Sequence, residues 1–475
     1  MRGDWREYCS PILRVKFPRV NRGKLRDGWL MPERLPMAAV EEQTEVGSYF
    51  VATYPPFSVW TRDQVTREAM PALQSPPVPG VPLGLYLHIP FCRKRCHFCY
   101  FRVYTDKNAQ DVVDYLDVLA QEWEIYAKLP AVAGRPTNFV YFGGGTPSFL
   151  STRQLRTLVD RLSAVSPWRD AEEITFECEP GTLAGDKLSV IRDIGVTRLS
   201  LGVENFSDEL LELNGRAHRS PEVFRAYEQA RQLGFPQINI DLIAGMLGET
   251  EENWQRCIEK TLELAPDSIT IYQMELPFNT AISSDLIKKT GRFKEPVADW
   301  ATKRRWVREA FEALERAGYH VRSAYTATKN PERTKFVYTD RLWQGADMVG
   351  LGVASFGHIN GVHVQNFDTW ETYSAAVKAG GVALNRAYRP TDEERMIREL
   401  VLQLKRGSIK PSYFHDKYQV NVLERFREQF DRLAAEGYLA TATEELVALT
   451  REGLLRVDVL LRRFFQPQYA DVRYT

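Results

Sequence analysis

The sequence has no excess of either charge: 62 lysines and arginines are balanced by 62 aspartates and glutamates, a formal net charge of zero. No global field therefore steers the chain to nucleic acid or to an anionic surface, and partners must be argued from local sites. There is no run of about 18 apolar residues and no opening basic stretch followed by an apolar one, so neither a membrane span nor export is expected, and the cytoplasm is the expected compartment. Cysteine is scarce, with six in 475 residues. In a reducing compartment six cysteines are not expected to form a disulfide framework, and a tight cluster of them points to metal binding or catalysis. No low-complexity tract occurs, and no internal repeat beyond a strand and helix unit. What remains is a chain too long for one ordinary core, which predicts two or three domains.

Residues 1–80 lack sustained periodicity, and "PPFSVW" and "SPPVPGVPLG" carry enough proline for an irregular N-terminal arm and linker. From residue 84 the pattern changes. Six short apolar runs read as strands: "GLYLH" (84–88), "NFVYF" (138–142), "EITFEC" (173–178), "TRLSLGV" (197–203), "QINIDLI" (237–243) and "SITIYQM" (268–274). Between them lie stretches whose apolar residues recur three and four apart, as helices require. Regular alternation predicts a parallel sheet with outer helices, an α/β fold closed only in part or left open, with ligands at the carboxyl edge of the strands. "YHVRSAYTAT" and "DMVGLGVASFGHING" read as further strands and glycine turns. After a break at "RAYRPTDEER", the order helix, helix, short hairpin, helix predicts a small winged-helix-like module. The expected division is an arm at 1–80, a core at 81–320, an extension at 321–388 and a C-terminal module at 389–475.

Three of the cysteines, Cys92, Cys96 and Cys99, fall in "GLYLHIPFCRKRCHFCYF", directly after the first strand, while Cys9, Cys178 and Cys257 stand alone and read as ordinary small or buried residues. Spacings of three and then two residues let one short loop aim three thiolates at one centre. Structural zinc would want a fourth ligand. No second CxxC follows, and His97, inside the loop, is poorly placed to supply it. The alternative is an iron–sulfur cubane with three irons held by cysteine and one left open, a departure from four-cysteine ligation.

The CxxxCxxC loop resembles that of the radical S-adenosylmethionine enzymes. Its flanks, "VYFGGGTPS", "FECEPGTL", "TRLSLGVENF" and "INIDLIAGM", are similar in order and placement to the subfamily of oxygen-independent coproporphyrinogen III oxidase. "YFVATYPPFSVW" resembles that subfamily's N-terminal arm and "LTREGLLRVDVLLRRFF" its C-terminal helix. The resemblance implies a partial (β/α)6 barrel holding a [4Fe–4S] cluster on Cys92, Cys96 and Cys99. It implies one S-adenosylmethionine, or two, cleaved to a 5′-deoxyadenosyl radical. Tyr86 and His88, alternating on the first strand, would stand by the methionine moiety and the cluster. Gly144, Gly145 and Thr146 would meet the cofactor's carboxylate and amine; Glu177, Arg216 and Asp241 would take its ribose and charged groups.

Two residues depart from the oxidase pattern. Glu204 stands where the oxidases carry glutamine near a second S-adenosylmethionine, and Phe101 stands where they carry a further cysteine. Three functions are therefore expected to compete: oxidative decarboxylation of porphyrinogen propionates in porphyrin and heme biosynthesis; methylation or cyclopropanation by two S-adenosylmethionine molecules; and heme delivery by a chaperone. For the chaperone, the counterpart of the heme histidine motif is "YTDRLW", which offers Tyr338 and no histidine. The expected partners are a tetrapyrrole-like small molecule and an external reductant such as flavodoxin or ferredoxin, acting on a monomer.

Overall fold

The six apolar runs become strands β1 (Leu83–Ile89), β2 (Thr137–Gly144), β3 (Glu173–Cys178), β4 (Arg198–Glu204), β5 (Gln237–Ala244) and β6 (Ser268–Gln273). They pair in parallel and in chain order. This is the partial α/β barrel. The computed structural model describes residues 52–168, 170–470 and 472; Cys9 and residues 1–51 of the expected arm lie outside them. No described helix is long and apolar enough to cross a membrane.

Each crossover carries a helix, and the first two start on capping residues of their own. Asn108 caps Ala109–Tyr126 in a capping box with Asp111, and Ser151 caps Thr152–Val165 in one with Gln154. The strand faces divide cleanly. Leu85, Leu87, Val140, Phe142, Ile174, Phe176, Leu199 and Leu201 lie on one face, each no more than 2 % exposed, in the main core. Burying a side chain of this kind contributes about 1.5–3 kcal/mol. On the other face, the ladders bring together Tyr86, Tyr141, Thr175 and Arg198 in one row. Glu177, Ser200, Asn239 and Ser268 form the next row, and Gly202, Asp241 and Thr270 the one above it. The barrel interior is thus polar, and it leads to the carboxyl edge. Gly84 opens that face: a Cβ there would meet the Phe139 ring at 2.0 Å.

Beyond the expected unit, β9 (Asp347–Leu351) returns to the free edge of β1 and pairs with it in parallel. Strands β10 (Phe356–Ile359), β11 (Val362–Asn366) and β12 (Leu384–Tyr388) continue outward antiparallel. At the other end, β8 (Thr326–Thr328) and β7 (His320–Val321) close the row antiparallel to β6. The sheet has twelve strands and two edges.

A second core gathers the helices Asp392–Leu404, Pro411–Tyr418 and Arg427–Ala435 around Leu400, Phe414, Phe430 and Phe464. It carries a three-stranded sheet of β13 (Ser408–Ile409), β14 (Leu439–Ala442) and β15 (Val447–Leu449) in the order β13-β15-β14. The described part of the arm joins both cores: Tyr54 packs its ring 4.7 Å from Phe465, whereas Ala69, Ala72 and Leu73 belong to the main core.

A candidate cofactor site at the barrel mouth

The cysteine loop leaves β1 through Phe91, which is fully buried against Tyr115, Phe149 and Trp370. Backbone bonds from Cys92 N–H to Tyr104 O (3.1 Å) and from Tyr104 N–H to Pro90 O (2.7 Å) close its base. Its tip is tied elsewhere. His97 N–H bonds Asn214 O at 3.0 Å, its Nδ1 lies 3.0 Å from Leu213 O, and its ring packs 4.9 Å from Phe293. These contacts occupy His97 and argue against its serving as a fourth ligand.

All three loop cysteines are half-buried and free. Cys92 Sγ is 3.3 Å from Thr146 Oγ1, and Arg216 Nη1 donates to Cys96 Sγ at 3.5 Å. Burial pushes the Cys92 thiol up to about 11 and the Cys99 thiol to about 12, so thiolates here need a cationic centre to hold them. Among the described residues no group of three or more His, Cys, Asp or Glu is placed to hold a metal ion. Single-ion sites converge their ligands on one point; in a cubane each thiolate meets its own iron, and the ligands stand farther apart. The donor set, three thiols and a guanidinium, fits an anionic cluster.

The glycine turn after β2 lies against the root of this loop. Gly144 has φ +110°, and a Cβ on it would come 2.6 Å from His88 Nδ1. Gly145 donates to Ile89 O at 2.9 Å, and its own Cβ would collide with the Pro90 and Phe91 backbone. Only glycines leave this cradle open. Tyr86 Oη is 3.4 Å from His88 Nδ1, and the Tyr86 ring stacks on Tyr141. Burial lowers the His88 imidazole to about 4, so it is neutral at pH 7.

Three carboxyls share the mouth. Glu177 accepts from Tyr141 Oη at 2.6 Å; Asp241 accepts from Ser200 Oγ and Asn239 Nδ2, each at 2.8 Å; Glu204 lies 3.5 Å from Arg216 Nη1. Glu204 has φ +64° and sits where the β4–β5 register slips, which turns its side chain to the arginine. Burial is the first cause raising all three, and Asp241 adds repulsion to both glutamates, which reach about 7. Arg216 also donates to Gly202 O at 2.5 Å, while its buried Nε has no protein partner. A mouth with excess buried carboxylate and an arginine Nε left without a protein partner suits a ligand bearing both ammonium and carboxylate groups, as the methionine end of S-adenosylmethionine does.

The twelve residues expected at the site are therefore gathered at one strand edge. Other participants were not singled out from the sequence. Arg93 of the cysteine loop pairs in a fork with Glu179, at 2.9 and 2.7 Å, with His218 Nδ1 3.5 Å from the same carboxylate. Burial alone would raise Glu179, but the nearby His218, the Arg93 fork and the Arg216 charge hold it at about 2. Tyr141 and Tyr272 complete the wall, and Tyr338 packs 4.4 Å from Tyr141. The only signal for Glu179 was its place directly after β3 in "FECEPG"; its partner lies 86 residues away.

Comparison with known proteins agrees with this geometry. The model of the Radical SAM superfamily matches residues 86–261. The chain is 30% identical over 373 residues to the heme chaperone HemW of Bacillus subtilis (strain 168), covering 78% of this chain and 96% of that one. It is 28% identical over 393 residues to the oxygen-independent coproporphyrinogen III oxidase of Escherichia coli (strain K12), covering 80% and 81%. The solved structure of the Escherichia coli oxidase HemN, described as a radical SAM enzyme, superposes with a TM-score of 0.75 at 26% identity, over 87% of this chain and 96% of that one. The chain belongs to the radical S-adenosylmethionine superfamily, in the subfamily of oxygen-independent coproporphyrinogen III oxidase and its relatives, and its cofactors are the [4Fe–4S] cluster and S-adenosylmethionine of that superfamily.

Proposed function

We propose that the chain is a coproporphyrinogen III oxidase-like enzyme that decarboxylates propionate side chains of a tetrapyrrole-like small molecule. The observation that supports this most is the likeness of its fold to the oxidase over nearly all of that enzyme's length. When bound, the cofactors would supply a 5′-deoxyadenosyl radical able to take hydrogen from the propionate β-carbon, after which loss of carbon dioxide, with one electron passed to an external one-electron acceptor, leaves a vinyl group. In this reading Cys92, Cys96 and Cys99 hold three irons. Gly144, Gly145 and Thr146 present backbone and hydroxyl groups to the methionine moiety, and Arg216 takes its carboxylate. Glu177 and Asp241 accept from ribose and ammonium. Tyr86 shields the methionine moiety, and neutral His88 stands beside the cluster without adding charge. An external flavodoxin or ferredoxin, a cytoplasmic setting, a monomeric state and the four-part division at residues 80, 320 and 388 belong to the same proposal.

Heme delivery is the second reading, favoured by the match to nearly the whole Bacillus chaperone. Against it stands the lack of a histidine in "YTDRLW", where Tyr338 instead packs its ring 4.4 Å from Tyr141 and 5.7 Å from Phe139. The test is anaerobic incubation of reconstituted protein with S-adenosylmethionine, a reductant and coproporphyrinogen III, followed by mass spectrometry. Loss of carbon dioxide is expected. Gain of a methyl group would instead support the two-molecule methyltransferase or cyclopropanase, with Glu204 beside the second molecule; an unreacted tetrapyrrole together with tightly retained heme would support the chaperone.

A further inference from the structure

One face next to the cysteine loop departs from the charge balance of the rest of the molecule. Elsewhere on the surface, arginines are commonly paired, as in Arg156 with Asp193, Arg231 with Asp267 and Arg341 with Glu172. Beside the cluster loop, Lys94, Arg95, Lys288, Lys289, Arg292 and Lys294 are all exposed, and among the described residues none of the six forms an ion pair. The segment "LIKKTGRFKE" (286–295) holds four of them against one acid, Glu295. The nearest buried acid, Asp285, is already consumed by the Thr290 hydroxyl and the backbone N–H groups of Arg292 and Phe293.

Both basic segments are fastened to the cysteine loop. The helix Ala281–Lys288 starts on it, with Ala281 N–H donating to His97 O at 3.0 Å, and Asn279 Nδ2 donates to Tyr100 O at 2.8 Å. Lys288 lies at the far end of that helix, about 10 Å along its axis. The chain then folds back to place Phe293 on the His97 ring, and the charges of Arg292 and Lys94 both reach that ring. Arg95 reaches from the surface to Cys99 O at 3.1 Å and Asn279 O at 3.4 Å. Arg95 thus ties this face directly to the backbone of a cluster ligand. Amid the cations, Leu286 is 48% and Ile287 57% exposed, a small apolar centre with a charged rim.

We propose that this face is the docking surface for an acidic one-electron carrier protein. The proposal rests on the reading that the three cysteines hold the cluster. The carrier gives up one electron, the cluster gains it, and no bond or proton moves. Charge complementarity favours this occupant: a neutral chain gains no long-range attraction, whereas six cations without ion pairs, beside two exposed apolar side chains, steer an acidic partner to the side that carries the cysteine loop.

The test is binding of labelled flavodoxin, an acidic flavin protein, to the reconstituted protein at low and at high salt, for the parent and for the K288E/K289E/R292E variant. The expected result is a parent affinity that falls with salt, and a loss of about tenfold or more in the variant. Iron content, thermal midpoint and 5′-deoxyadenosine formation driven by dithionite are expected to stay at the parent level. Equal flavodoxin affinity in parent and variant would overturn the proposal. So would charge-dependent binding to anionic phospholipid vesicles without binding to flavodoxin. Absence of iron from the parent, by contrast, would overturn the cofactor reading and leave the flavodoxin isotherm to judge the surface.

Discussion

Glu122 and Glu177 are both carboxyls that burial holds near pKa 7, yet the two regions around them use charge in opposite ways. Glu122 lies behind β1, fully buried, and the protein satisfies it: Gly352 N–H donates at 2.8 Å, Asn366 Nδ2 at 2.7 Å and Tyr373 Oη at 2.7 Å. That cluster joins the helix Ala109–Tyr126 to the turn after β9, where Tyr115 Oη accepts from Val353 N–H and donates to His88 O. At the mouth, Glu177 receives one side-chain donor, Glu204 has only Arg216 at 3.5 Å, and Asp241 repels both. A raised pKa marks burial in both places. Glu177 and Glu204 differ from Glu122 in how few side-chain donors the protein supplies, whereas Asp241 has Ser200 and Asn239 and is set apart by its place among like charges.

The comparison can be broken first at the cysteines. Alanine at Cys92, Cys96 or Cys99 is expected to abolish the cluster and all S-adenosylmethionine cleavage, read by iron analysis and by 5′-deoxyadenosine. Next comes the wall: Glu122→Ala leaves three buried donors unmatched and is expected to cost about 3 kcal/mol of stability, visible as a lower thermal midpoint. At the mouth the effect should move from stability to binding. Asp241→Asn is expected to weaken S-adenosylmethionine by about 1–3 kcal/mol, with a much smaller change in midpoint than Glu122→Ala gives. Calorimetry of both variants checks the contrast, and a midpoint drop for Asp241→Asn as large as that for Glu122→Ala would erase the distinction.

The pH dependence sharpens the same point. A folded pKa raised above the unfolded value means that ionisation destabilises the fold, so the Glu122 contribution is present below pH 4.5 and is lost as pH rises through 7. The Glu177 carboxylate, by contrast, is expected to strengthen cofactor binding as pH rises through 7, a trend that Glu177→Gln should flatten; isotherms at pH 6 and pH 8 decide it. The smallest effect is expected at Glu204. If a second S-adenosylmethionine binds, Glu204→Gln should weaken that molecule more than the first and reduce methyl transfer before 5′-deoxyadenosine formation, counted in one turnover. Equal loss of both products would contradict the two-molecule reading.

How far the sequence could be read follows from the range of the interactions. The six parallel strands stand within a residue or two of the apolar runs, because each alternates core-facing apolar residues with residues of the polar barrel interior, a pattern carried by neighbouring positions. The return of β9 to β1 pairs Leu83 with Asp347 and carries no local signal. The strands and glycine turns expected of "DMVGLGVASFGHING" include a hairpin at 359–361, where Asn360 and Gly361 take φ +47° and +77° and turn β10 into β11. The helical run "VNVLERFREQFDRLAAEG" (420–437), the second helix expected before the C-terminal hairpin, breaks at Phe426. At the site, the three cysteines were legible because their spacing is local, and Gly144 because the turn after β2 requires it. Glu179 and its Arg93 partner were not, since a pair spanning 86 residues exists only after the barrel forms.

The most direct test of the account is the electron paramagnetic resonance spectrum of the anaerobically reconstituted, reduced protein before and after S-adenosylmethionine is added, together with its iron and zinc content. The account predicts one [4Fe–4S] cluster per chain whose signal shifts on addition, because an iron without a protein ligand meets the cofactor at the mouth. Zinc in place of iron, or a cluster signal that S-adenosylmethionine leaves unchanged, would contradict it.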